Sequence, residues 1–293
     1  MTISPRNQVK CRQIEDGDRE AVVDCLTRGF PRRSRAYWVA ALDRLAHRPP
    51  LADYPKYGLL VECQAKVVGV LLQIFSRRGE GEDAPVFCNL SSWCLDPGFR
   101  GFAIMLNARA TARKEVTYLN VSPAPHTWRG IEALGFRRYC EGHFVCAPVM
   151  SLPKDRGVRV RTFAEHAPEA ARLSAREREI LAEHAALGCR SLVVAAGETA
   201  HPFVLAPRRI LHGLIPCHQL IYCRDVADFS RFAGPIGRYL LARGGLICLV
   251  DANGRAPGLV GTYLSGRGPK YFKGPGRPNL GDLSFTEFAI FGH

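Results

Sequence analysis

The chain of 293 residues is 47% hydrophobic and 23% charged, the balance of an ordinary globular protein with room for one large domain or two modest ones. Its 40 Lys and Arg against 27 Asp and Glu leave a net charge of +13, which favours anionic partners, yet no basic arm, RNP-like, zinc-finger or helix-turn-helix pattern points to nucleic acid. No apolar run is long enough to span a membrane, the polar start Met1–Asp16 has no signal-peptide core, and the 11 cysteines include no Cys-x-x-Cys pair, so free thiols and no metal are expected, in the cytoplasm.

In chain order, residues 8–14 alternate like a short strand. Asp16 or Asp18 then caps a helix to Arg28, and a second helix runs from Ser34 to His47 until Pro49 and Pro50 stop it. Tyr57–Cys63 and Lys66–Phe75 form a hairpin through Gln64 and Ala65, and Val86–Leu95 is the next strand. A helix from Gly101 to Arg113, a strand Val116–Asn120, a helix Thr127–Leu134 closed by Gly135, and a strand Phe136–Cys146 follow. The plan then restarts. It gives a strand Val158–Phe163, a helix Pro168–Ala186, strands Ser191–Glu198, His201–Ile210 and His218–Val226, and a helix Asp228–Arg243 that Ala233–Gly237 is suited to split. Strands Leu246–Asn253, Tyr263–Phe272 and Leu283–Phe291 close the chain. The fold class is α/β, a mixed sheet flanked by helices. The expected organisation is one lobe over 1–149, a linker over 150–157 and a second lobe over 158–293.

Asp96–Leu106 reads DPGFRGFAIML between a strand and a helix, and Ile131–Tyr139 reads IEALGFRRY. A helix N-terminus presents unpaired N–H groups and the positive end of its dipole, and small residues let a diphosphate approach them. Gly101 and Ala103 are the small residues here, and Arg100 adds a cation. With the element order, these stretches resemble the signature loop and the helix-to-strand segment of the GNAT (GCN5-related N-acetyltransferase) superfamily over residues 8–146. The second half resembles the same fold in element order alone.

The resemblance implies an acyl-CoA N-acyltransferase-like fold of two lobes, the second degenerate. It also implies transfer of an acyl group from acetyl-CoA or a longer acyl-CoA to an amine by direct attack. Main-chain groups of Cys94 and Leu95 would meet the thioester, Arg100, Gly101, Phe102, Ala103 and Ile104 the diphosphate, and Asn120 the acyl-CoA or acceptor. Ile131 stands where the family often has an acidic Tyr, and the last glycine of the loop is missing. His126, Ser122 and Glu287 are the catalytic candidates. A non-catalytic GNAT-like pair that binds CoA or another anion is the alternative.

Overall fold

The computed structural model describes residues 9–152, 157–210 and 214–292. The first half gives strand β1 (Val9–Gln13), helices α1 (Arg19–Gly29) and α2 (Arg35–His47), strands β2 (Gly58–Cys63), β3 (Lys66–Arg77) and β4 (Val86–Leu95), helix α3 (Ala103–Ala110), strand β5 (Thr117–Asn120), helix α4 (Trp128–Ala133) and strand β6 (Arg137–Cys146). Ser34 caps α2 by accepting the Tyr37 N–H at 3.2 Å, which satisfies one of the orphan donors of the first turn. Gln64 and Ala65 turn the β2–β3 hairpin with φ of 52° and 62°, the doubled left-handed conformation that matches strand twist. Every residue of β3 from Val67 to Ser76 is buried, as in a strand covered on both faces.

The second half gives β7 (Arg159–Thr162), α5 (Ala175–Ala186), β8 (Arg190–Ala196), β9 (Thr199–Ile210), β10 (Ile215–Tyr222), α6 (Val226–Leu241), β11 (Cys248–Ala252), β12 (Gly261–Lys273) and α7 (Glu287–Ile290). Three expectations change. Helix α5 starts at Ala175 and not at Pro168, because Ser174 and Glu177 form a reciprocal capping box there. Helix α6 is continuous through Pro235. It packs on the 3-10 turn Pro148–Met150, and a Cβ on Gly237 would lie 2.0 Å from the Val149 nitrogen, so the small residues serve close packing and do not split the helix. Residues 283–291 are not a strand. One bridge joins Tyr222 to Asp282, Phe285 then takes φ of 57°, and the apolar run winds into α7 with Ala289 and Ile290 buried. Residues 153–156 of the expected linker, and Gln8 of the first expected strand, lie outside the described residues.

The 12 strands of the described residues join one sheet in the order β1-β2-β3-β4-β5-β12-β6-β11-β10-β9-β8-β7. The two halves exchange their last strands. β12, from the second half, pairs with β5 of the first, and β6, from the first half, pairs with β11 of the second. β12 and β6 run antiparallel to each other at the centre. Neighbours along a strand face opposite sides, so Leu60 joins the core under α1, α2, α5 and α7, while Leu59 and Val61 join the core under α3 and α4. In the second half, α6 covers that other face. Each fully buried Leu or Phe contributes about 1.5–3 kcal/mol, so the shared first core binds the halves together strongly.

Candidate active site

β4 and β5 pair in parallel at Phe87 with Thr117, Cys88 with Tyr118 and Asn89 with Leu119, and no further. β4 stays paired with β3 as far as Gly69 with Leu95. Beyond Asn89 the two parallel strands therefore diverge, and the second half of β4 borders an opening. The β3–β4 register shifts between Val70 and Leu72, and Ser92 takes φ of 53°, which marks a bulge that redirects the strand. The Asp96 N–H donates to the Val68 carbonyl at 2.8 Å. Main-chain groups alternate along an antiparallel ladder, so those of Cys94 turn to β3 and those of Leu95 turn to the opening. The Cys94 thiol lies 3.9 Å from the Cys25 carbonyl of α1. Contact with Cys25, added to burial, raises its pKa, which disfavours a thiolate nucleophile.

After β4 the chain makes a 3-10 helix, Pro97–Phe102, before α3 begins at Ala103. Helix α3 is thus shorter at both ends than the sequence suggests. Arg28 fastens the start of this loop by an ion pair with Asp96 at 3.1 Å. Arg100 and Gly101 are exposed, Phe102 and Ala103 are half-buried, and Ile104 is 69% exposed. A Cβ on Gly98 or Gly101 would meet nothing within 4 Å. The fold itself does not require glycine at either place. Their small size leaves the backbone open to an approaching group.

Glu287, the first residue of α7, comes to the apex of the opening. Its Oε2 accepts from Asn89 Nδ2 at 2.5 Å, its Oε1 accepts from the Ser122 hydroxyl, and Ser91 adds a further hydrogen bond. Burial raises the Glu287 pKa, against the pull of these donors and of Arg208. Ser122 is exposed, so the carboxylate has a route to solvent. A carboxylate with a raised pKa, held by neutral donors and open on one side, suits general-base work.

The other expected residues are distributed around this centre. Asn120 is half-buried at the end of β5, opposite Tyr271 of β12. His126 is exposed in the 3-10 turn Pro125–Thr127 and takes no part in the hydrogen bonds of Glu287. Ile131 is 3% exposed in the core. The structure thus brings Glu287 and Ser122 together and leaves His126 apart from them.

Four neighbours were not among the sequence candidates. Asn89 and Ser91 are buried polar residues of β4. The half-buried Tyr37 of α2 lies under Arg33, whose guanidinium is 4.4 Å from the ring centre. Arg208 of β9 gives its Nη1 to Gln219 Oε1 at 3.1 Å and stands 4.7 Å from the ring centre of Phe288. A run of polar residues, Asn89, Ser91 and Ser92, inside an otherwise apolar strand was the available signal for the first two.

The second half repeats the geometry with different chemistry. β10 and β11 pair in parallel only at His218 with Cys248 and Gln219 with Leu249. Asp225 caps α6 by accepting the Ala227 N–H at 2.8 Å, and Asp228 meets His201 at 3.0 Å, so carboxylates already occupy that helix start. The expected strand Tyr263–Phe272 lies within the central strand β12, Gly261–Lys273. Its Lys270, 0% exposed, bonds Asp251 Oδ1 at 2.7 Å, and His143 stands 3.3 Å from the same oxygen. Burial pushes the Asp251 carboxyl up, but Lys270 and His143 pull it below its ordinary value. His218 receives a hydrogen bond from Arg190 at 3.1 Å, and no group of three or more potential metal ligands occurs among the described residues.

No family model matches this chain, and no curated protein matches it in sequence. Solved structures do match. A candidate acetyltransferase from Pyrococcus horikoshii aligns with a TM-score of 0.58 at 13% identity, over 96% of this chain and 95% of its own. A GCN5-related N-acetyltransferase from Anabaena variabilis aligns with a TM-score of 0.60 at 10% identity, over 90% of this chain and 72% of its own. One from Kribbella flavida aligns with a TM-score of 0.52 at 13% identity, over 90% of this chain and 70% of its own. The strand divergence after Asn89, the bulge at Ser92 and these alignments agree: this chain has the fold of the GCN5-related N-acetyltransferases.

Proposed function

We propose that the protein transfers an acyl group from a CoA thioester to an amine, with Glu287 as the general base. The observation that carries this reading is the Glu287 carboxylate, held by Asn89 and Ser122 at the apex of the β4–β5 opening. The thioester lies along the second half of β4, where the outward main chain of Leu95 meets its carbonyl, and the diphosphate rests on Arg100, Gly101, Phe102, Ala103 and Ile104. Asn120 borders the same opening. Glu287 removes a proton from the ammonium of the acceptor, and the freed lone pair attacks the thioester carbon. Charge develops on the carbonyl oxygen, which preorganised N–H donors stabilise. The nitrogen of the tetrahedral centre gives its second proton to solvent in the cleft, and the centre collapses with loss of the CoA thiolate. Buried Ile131 gives that thiolate no acid at the family's usual place, and solvent in the cleft supplies the proton.

The buried Ile131 also favours a second reading, a protein that binds CoA without turnover. Calorimetry with acetyl-CoA and a long-chain acyl-CoA at moderate salt, on wild type and Arg100→Glu, tests the binding shared by both readings. Thiol release with a panel of amines then separates them. Binding without release supports the second reading, and no binding of either thioester overturns both.

A further inference from the structure

The carboxylate of Glu287 and the guanidinium of Arg208 are opposite charges on neighbouring groups, and neither has an ion-pair partner among the described residues. Glu287 is held by an amide and hydroxyls, from Asn89, Ser122 and Ser91. Arg208 is held by the Gln219 amide oxygen and the Phe288 ring. Among the described residues no carboxylate comes within 4.0 Å of Arg208 and no cation within 4.0 Å of Glu287. Yet they are close. Phe288, on which Arg208 stacks, is the next residue after Glu287, and each group feels the other's charge.

Holding a half-buried guanidinium without an anion is costly. Burial lowers the Arg208 pKa, with Arg33 adding repulsion and Cys217, Asp251 and Glu287 offsetting part of it. The surroundings nevertheless fix it. Gln219, which accepts from Arg208, also donates to Asp251 at 3.4 Å, and Asp251 is itself anchored by Lys270 at 2.7 Å. Among the described residues, only Nη1 of Arg208 has a hydrogen-bond acceptor. The rest of its planar fork remains, the geometry that matches a carboxylate with two parallel bonds.

We infer that the acceptor is a zwitterionic amino acid, its carboxylate received by Arg208 and its amine delivered to Glu287. This rests on the acyl-transfer reading and narrows its acceptor. The two unpaired charges are complementary to the two ends of such a molecule. An amine without the carboxylate leaves Arg208 unmatched, and the loss of a charge-assisted pair is expected to weaken its use about tenfold or more.

The test compares amino acids with their methyl esters, which keep the amine and lose the negative charge. Thiol release at fixed acetyl-CoA gives KM and kcat, and calorimetry in the presence of CoA gives binding without turnover. Wild type is expected to favour the free acids by about tenfold or more in KM. Arg208→Met should erase that preference by raising KM for the acids and not for the esters, and Arg208→Lys should restore part of it. A melting curve checks that both variants fold. Equal use of acids and esters by wild type overturns the inference and leaves acyl transfer standing. Absence of thiol release with every amine overturns acyl transfer, and the calorimetric arm then decides the carboxylate site. Binding of an amino acid that Arg208→Met abolishes supports that site, and unchanged binding in the variant, or none in wild type, overturns it.

Discussion

Asn89 and Glu287 stand 198 positions apart in the chain and share a hydrogen bond of 2.5 Å. Asn89 is the last residue of β4 paired to β5, so this bond ties α7 to the point where the strands diverge. The Asn89 amide oxygen is buried and has no partner among the described residues. A lost or unmade bond at such a site costs about 1–3 kcal/mol, so the orientation of Asn89 toward Glu287 is an expense the fold sustains.

Glu287→Gln is expected to lower kcat by about 10²–10⁴-fold, the usual worth of a general base, with acyl-CoA affinity retained in calorimetry. Folding raises the pKa of this carboxyl through burial. Its contribution to stability is therefore full below the ordinary glutamate value and fades as pH rises through the raised one. Glutamine cannot ionise. The variant should melt near the wild-type temperature at pH 4 and above it at pH 8, which a pH series of thermal scans will read.

Ser122→Ala removes one of the donors that hold the Glu287 pKa down. The acid limb of the kcat profile should move to higher pH, with little loss at the plateau. A profile whose limb stays in place would assign the limb to another group.

Arg100→Glu should raise the Kd for acyl-CoA about tenfold or more by replacing attraction with repulsion at the diphosphate. The melting temperature should not change, since Arg100 is exposed. Equal affinity in wild type and variant would remove the diphosphate from this loop.

Lys270→Met leaves Asp251, 2% exposed, without its ammonium partner. Breaking such a buried pair costs about 3–5 kcal/mol, which urea unfolding will measure. Adding Asp251→Leu removes the stranded charge, and the double variant should recover much of the loss. A double variant as unstable as Lys270→Met would show that packing, not charge, is the cause.

Much of the fold was legible in local pattern. Proline stops, the Gln64–Ala65 turn and Gly135 marked element ends, and apolar periodicity separated helices from strands. Glu287 and Ser122 were legible as residue types but not as neighbours, because their bond spans 165 positions. Residues 283–291 misled because LSFTEFAIF is apolar enough for either structure, and a left-handed Phe285 chose the helix. Arg208 gave no signal, since an arginine at the end of a strand usually meets solvent. The exchange of β6 and β12 was also invisible, because strand order is a property of distant pairings and leaves no local periodicity.

That exchange has a consequence for how the chain is made. Synthesis proceeds at about 5–20 residues per second, so β6 leaves the ribosome on the order of 10 s before β12, the strand that fills the space between β6 and β5. During that interval the first half holds two strand edges without their neighbour, and open edges recruit other strands. The nascent chain is then at its most vulnerable to aggregation, and a translational pause before residue 261 would lengthen the hazard.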